Sequence, residues 1–268
     1  MFQRAPVVDL HPRWTLILAS GGVVLAAYVV LIETWRRMVI AWGETLAFTD
    51  AAAIWFVSNL VRYVPWGSVL QVGALAELAR RRRVSPTTAT GASIINVAVN
   101  ITTGFVAALV CGFTAADPLG QGRGAWTLWI AVTLLAGLML LPAILPRMLG
   151  GVQRLTGRTL VPGALPRRAM YISLAGNVAA WVMYGLAFEL FVRGVLGRSA
   201  GTATEFIAVW AGAYVTGYLA VLLPAGLGAR EAAVLAVSAR LWLTALELIP
   251  ALLYLARATR PRPHVTHP

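Results

Sequence analysis

The chain has 268 residues, is 59% hydrophobic and 12% charged, and carries a formal net charge of +12. Its apolar runs are too long for a soluble core and read as a polytopic, all-α membrane protein. All 22 basic residues are arginines, and they border apolar segments instead of forming a soluble basic face, which argues against nucleic-acid binding. Arginine forks suit lipid phosphates, while the same charges also serve ordinary topology setting. Cys111 is the single cysteine, so no intrachain disulfide or cysteine metal cluster is expected.

The first span is predicted over residues 14–32, which contain no charge and cover roughly 30 Å at helical rise. It lacks a small-residue cleavage site and reads as a retained span, ending near Glu33 with Trp35, Arg36 and Arg37 at a water interface. Thr49 or Asp50 offers an N-cap for a helix toward residue 64 that carries Ser58, Asn59 and Arg62. That helix stops at Pro65-Trp66-Gly67, and the apolar arm that follows, 69–79, reaches only about half the hydrocarbon core. A breaker followed by a half-length arm predicts a re-entrant hairpin.

Four arginines at 80–83 precede Ser85-Pro86, an N-cap followed by proline at the first helical position. The helix they start, to about residue 113, is predicted to be the longest. It carries Ser93, Asn96, Asn100 and Thr103 at helical spacing. Such a stripe is either interhelical hydrogen bonding or the polar wall of a substrate cavity. Another span is predicted at 126–145, followed by a basic interfacial loop through Arg147, Arg154, Arg158, Arg167 and Arg168.

The span predicted at 170–192 has Asn177, Trp181 and Tyr184 along one side and Glu189, an interfacial carboxylate, near its end. Thr202-Ala203-Thr204-Glu205 has capping-box spacing. The helix it starts runs to residue 223 and breaks at Pro224-Ala225-Gly226-Leu227-Gly228-Ala229-Arg230-Glu231. A second half-length arm follows at 229–239, before Arg240 and an apolar segment at 241–256.

Both breaks end a helix in Pro-x-Gly before a short arm. The chain therefore divides into a first half, 14–113, broken at 65–67, and a second half, 126–256, broken at 224–228, within a single integral membrane domain over residues 1–268. The expected fold has about five full spans plus two re-entrant hairpins in an inverted-repeat-like arrangement, or seven to eight hydrophobic helices if the arms count as spans. With the N terminus outside and the C terminus cytoplasmic, five arginines fall outside, fourteen inside and three within hairpins. A rival path makes 229–256 one span with Arg240 and Glu247 buried.

The segment from Pro224 to Glu231 resembles the Pro-Gly-Gly-Leu-Gly-x-Arg-Glu signature of the lysylphosphatidylglycerol synthase transmembrane-region, or flippase-like, family. The segment Asn59-Leu60-Val61-Arg62-Tyr63-Val64-Pro65, continuing through the arginines at 80–83 and Val84-Ser85, is similar to that family's other signature block. Ala225 stands where the family usually has glycine, and Trp66 separates the usual Pro-Gly pair. The resemblance covers most of the chain. It implies a membrane domain associated with anionic or aminoacylated lipids and, in fused relatives, with their movement between leaflets. The lysyl-transfer chemistry of those relatives belongs to a soluble domain, and no stretch here reads as one.

The expected function is thus a flippase-like protein of the cell membrane that binds and translocates an anionic or modified lipid, with a headgroup path lined by Asn59, Arg62, Asn96, Asn100, Pro224, Gly226, Gly228, Arg230 and Glu231. Arg230 and Arg62 would meet the lipid phosphate, and Glu231 would balance Arg230 or contact a cationic headgroup. A structural Arg230–Glu231 pair at a helix start is the other reading of those two residues. Two further functions stay open: a non-transporting scaffold for lipid or for a membrane enzyme such as a glycosyltransferase, and a membrane-embedded transferase. For the last there is no paired acidic motif, and His11, His264 and His267 lie in the tails. No catalytic residue, metal or cofactor is expected.

Overall fold

A backbone in lipid has no water to satisfy its N–H and C=O groups, so it must close its hydrogen bonds within each segment. The computed structural model describes residues 12–61, 67–116, 124–157, 166–197, 201–220 and 243–256, and these form helices with no strand among them. They are α1 (Trp14–Ala41), α2 (Phe48–Leu60), α3 (Gly67–Arg81), α4 (Pro86–Ala116), α5 (Gly124–Thr156), α6 (Arg167–Leu196), α7 (Ala203–Ala220) and α8 (Leu243–Ala256). Three of them, α1, α4 and α6, are long and apolar enough to cross a membrane. The segment Pro224 to Glu231 and the second half-length arm lie outside the described residues.

Helix starts follow the sequence closely where the capping chemistry is complete. Helix α4 begins at Pro86, with the Ser85 carbonyl accepting from the Ala89 N–H at 3.0 Å. At α7 the Thr202 N–H donates to Glu205 Oε2 at 2.8 Å and the Glu205 N–H donates to Thr202 Oγ1 at 3.4 Å, the two reciprocal bonds of a capping box. Thr202→Ala removes one of them and is expected to cost about 1 kcal/mol, measured as a lower midpoint of thermal unfolding in detergent.

Four local expectations are corrected. Helix α2 starts after Ala47 with no side-chain cap, because Asp50 is engaged in an ion pair with Arg82 from the turn after α3. Helix α1 does not end at Glu33 but runs to Ala41, since Glu33 pairs with Arg36 and Arg37 at 2.7 and 2.8 Å, one turn along. Trp35 is fully buried instead of interfacial, and its indole N–H reaches Ser93 Oγ at 3.0 Å. Finally, α5 has 33 residues and α4 has 31, so the longest helix is α5. It continues through Pro142, Pro146, Arg147 and Arg154, so part of the expected basic loop is helical.

The helices assemble into two compact units, each drawing on both halves of the sequence. Unit 1 comprises Met1–Tyr28, Val99–Leu141 and Leu174–Arg240; unit 2 comprises Val29–Ala98, Pro142–Ser173 and Leu241–Pro268. In unit 1, α6 is the hub. It runs antiparallel to α1, with Ser20 Oγ donating to the Ala187 carbonyl at 2.8 Å. Against α7 it approaches so closely that a Cβ on Gly185 would lie 2.6 Å from the Ile207 Cα. Helices in lipid gain little from apolar burial against each other, so small residues that permit close backbone approach and buried polar bonds carry the packing.

In unit 2, α2 and α3 pack on one another as a helical pair. Their 13 and 15 residues correspond to about 20 and 22 Å, each short of the roughly 30 Å hydrocarbon core. Helix α1 ends and α4 begins in this same unit, and α2 and α3 lie wholly within it.

Candidate functional site

The polar side chains that the sequence places inside apolar helices fall into two groups. The first lies in unit 2, beside the break after α2. Ser58 and Asn59, on the last turn of α2, are 1% and 7% exposed. Ser58 donates to the Trp55 carbonyl at 3.1 Å. Asn59 Oδ1 accepts from Gln71 Nε2, on α3, at 2.6 Å, so an amide pair ties the two short helices together just beyond the break. The Trp55 indole N–H, one turn before Asn59, is buried with no hydrogen-bond partner among the described residues. Its ring lies 6.4 Å from that of Trp35.

On the α1–α4 seam of the same unit, Thr34 Oγ1 lies 3.4 Å from Asn96 Oδ1 and donates to the Leu31 carbonyl at 2.8 Å. Asn96 is 4% exposed. Ser93, a turn earlier, accepts from Trp35 and donates to the Ala89 carbonyl at 3.0 Å.

The second group lies in unit 1, on the α4–α6 seam. Asn100 Nδ2 donates to Asn177 Oδ1 at 2.9 Å, and Asn177 is fully buried. One turn further along both helices, Trp181 Nε1 donates to the Asn100 carbonyl and to Thr103 Oγ1, each at 3.1 Å. The Trp181 ring covers Gly104, where a Cβ would lie 2.5 Å from it. Tyr214 and Tyr184 meet Trp181 edge-on, with ring centroids 5.1 and 6.2 Å away, and Trp210 continues the aromatic row past Tyr184 to Phe188. The side of α6 carrying Asn177, Trp181 and Tyr184 is therefore an inward side.

Of the sequence-predicted site residues, Asn59, Asn96 and Asn100 are described. Asn59 joins the α2–α3 pair, Asn96 faces Thr34, and Asn100 joins Asn177. Arg62, Pro224, Gly226, Gly228, Arg230 and Glu231 lie outside the described residues. All four members of the α4 stripe, Ser93, Asn96, Asn100 and Thr103, have polar neighbours on α1 or α6. Sequence reasoning missed Gln71, Thr34 and Trp55. Gln71 carried a usable signal, since it shares the apolar arm 69–79 with only one other polar side chain, Glu77. Thr34 and Trp55 carried none.

Chemically, both groups consist of amides, hydroxyls and indoles, which can hold a polar headgroup by hydrogen bonds but supply no nucleophile paired with a base. No cluster of three or more His, Cys, Asp or Glu side chains able to hold a metal occurs among the described residues. The class that the fold defines is a helical protein with three helices of membrane-spanning length and apolarity. Compared with protein-family models, curated proteins and solved structures, the chain matches none.

Proposed function

We propose that this chain is a flippase-like membrane protein that binds an anionic or modified phospholipid and carries its headgroup across the bilayer. The observation that carries the reading is the Asn59–Gln71 pair. It is a part-buried polar contact between two helices too short to span, with Asn59 three residues before Arg62 and close to the Pro65-Trp66-Gly67 breaker in sequence. Polar groups and broken helices inside lipid are costly, and transporters concentrate them where substrate passes. The likeness of this segment and of Pro224 to Glu231 to the flippase-like family signatures points the same way.

The topology proposed with it is five spans and two hairpins, N terminus outside. Two features support it. Helices α2 and α3 pack on one another within one unit, as the two arms of a hairpin would. On this path fourteen arginines fall inside and five outside, in line with a cytoplasmic bias.

In this mechanism Arg62 and Arg230 bind the lipid phosphate, Asn59 orients it, and Glu231 balances Arg230 between lipids. Losing one charge-assisted hydrogen bond costs about 1.5–3 kcal/mol, or roughly ten- to a hundredfold in binding. Arg62→Ala and Arg230→Ala are each expected to slow the translocation of fluorescent phosphatidylglycerol in proteoliposomes at least about tenfold, with the unfolding midpoint unchanged. Wild-type rates in both folded variants would reject the site, and no translocation by folded wild-type protein would reject the transporter. That second outcome favours the scaffold reading, which has its own support in the α4 stripe, whose polar neighbours on α1 and α6 suit a static bundle.

A further inference from the structure

Four helices end with a residue in the left-handed backbone region, and three of the four use glycine there. Gly43 (φ 92°) follows α1, Gly157 (φ 65°) follows α5 and Gly197 (φ 71°) follows α6. After α3 the residue is Arg83, with φ 61°. Its local geometry is a complete Schellman closure: the Val84 N–H reaches the Ala79 carbonyl and the Arg83 N–H reaches the Arg80 carbonyl, both at 3.0 Å. Ala79 and Val84, the pair that this motif brings together, are both buried. Glycine would fill the position without strain, whereas a β-carbon there is unfavourable. The fold gains nothing from the arginine side chain, which is exposed.

Its neighbours are compensated. Arg80 and Arg81 bind Glu77 at 2.8 and 2.9 Å, and hydrogen bonds from Arg80 first, then Arg81, hold the Glu77 carboxyl at a pKa of about 2. Arg82 is paired with Asp50, and Glu44 accepts the Ser85 N–H at 3.0 Å. Arg83 has no ion pair among the described residues. It stands three residues before Pro86, the first residue of a helix long and apolar enough to cross a membrane, and headgroups lie at the ends of such a span.

We propose that Arg83 is a lipid-anchoring residue whose guanidinium grips the phosphate of an anionic phospholipid at the membrane surface, where α4 begins. A planar fork matches two phosphate oxygens, and a charge with no carboxylate partner among the described residues draws a negative headgroup. The contact requires no transport.

The test uses the full chain in neutral detergent micelles, titrated with phosphatidylglycerol and followed by thermal unfolding and by native mass spectrometry of retained lipid. Without lipid, Arg83→Gly is expected to unfold about 2 °C higher than wild type, because strain is relieved. Its half-saturating phosphatidylglycerol concentration is expected to rise about tenfold. Arg83→Asn, which also tolerates the left-handed backbone, is expected to lose the lipid response equally. Arg37→Gln, which removes an arginine already paired with Glu33, is expected to keep it. A full lipid response in both Arg83 variants overturns the proposal, as does an equal loss in Arg37→Gln, which would make the effect one of bulk charge. A lower midpoint for Arg83→Gly removes the strain argument, and an equal shift with inorganic phosphate alone would make the site one for free anions instead of lipid.

Discussion

Gly185→Ala is expected to destabilise the protein by about 2–3 kcal/mol, although it adds a single methyl group. The new Cβ would sit 2.3 Å from Ile207 Cγ1, 2.6 Å from Ile207 Cα and 2.9 Å from Ile207 Cβ. A side-chain tip could swing aside, but the Cα is backbone, so α6 and α7 would have to separate. That separation would also disturb the contacts of Phe188 with Phe206 and of Tyr184 with Trp210, at 5.6 and 6.3 Å. Gly212→Ala is the matched control. Its Cβ would meet only Ala108 Cβ, at an ordinary 3.9 Å, while alanine improves helix propensity by about 1 kcal/mol. It is expected to leave the unfolding midpoint unchanged or raise it. If both variants lose the same stability, close approach at Gly185 is not what packs α6 against α7.

Trp181→Ala is expected to cost about 3–5 kcal/mol, among the largest losses from truncating a described side chain. The ring is 1% exposed, lies over Gly104 and is flanked by Tyr184 and Tyr214. Gly104 has no side chain with which to fill the space. Trp181→Phe retains most of the ring volume but removes the donor to the Asn100 carbonyl and Thr103 Oγ1, and is expected to cost about 1–2 kcal/mol. Unfolding in graded denaturing detergent reads both. Equal losses in the two variants would mean that hydrogen bonding, and not ring packing, sets the stability of the α4–α6 seam.

The parts of this fold legible in the sequence are those governed by neighbours within one turn. The α4 start at Ser85-Pro86 and the capping box at Thr202 and Glu205 needed only local donors and acceptors, and both are formed. The apolar runs that became α1, α4 and α6 followed from length and charge. Asp50 failed as a cap because its partner, Arg82, lies 32 positions away, and no local pattern signals that pair. Trp35 failed as an interfacial residue for the same reason: Ser93, which accepts its N–H, is on another helix. The persistence of α5 past Pro146 was hidden because proline, with the arginines and glycines after it, reads as a loop signal although helices can continue through it.

By itself, then, the sequence determined that the chain is helical with runs long and apolar enough to cross a membrane, where several of its helices begin, and which polar residues share one side of α4 and one side of α6. Tertiary structure decided what those polar residues meet: Gln71 for Asn59, Thr34 for Asn96, Asn177 for Asn100 and the Trp181 indole for Thr103. It also showed that Arg80, Arg81 and Arg82 have carboxylate partners while the adjacent Arg83 has none among the described residues. The physical reason is range: periodicity and capping act over three or four residues, whereas the partner of a buried amide, or of Arg82, is chosen by how distant helices pack.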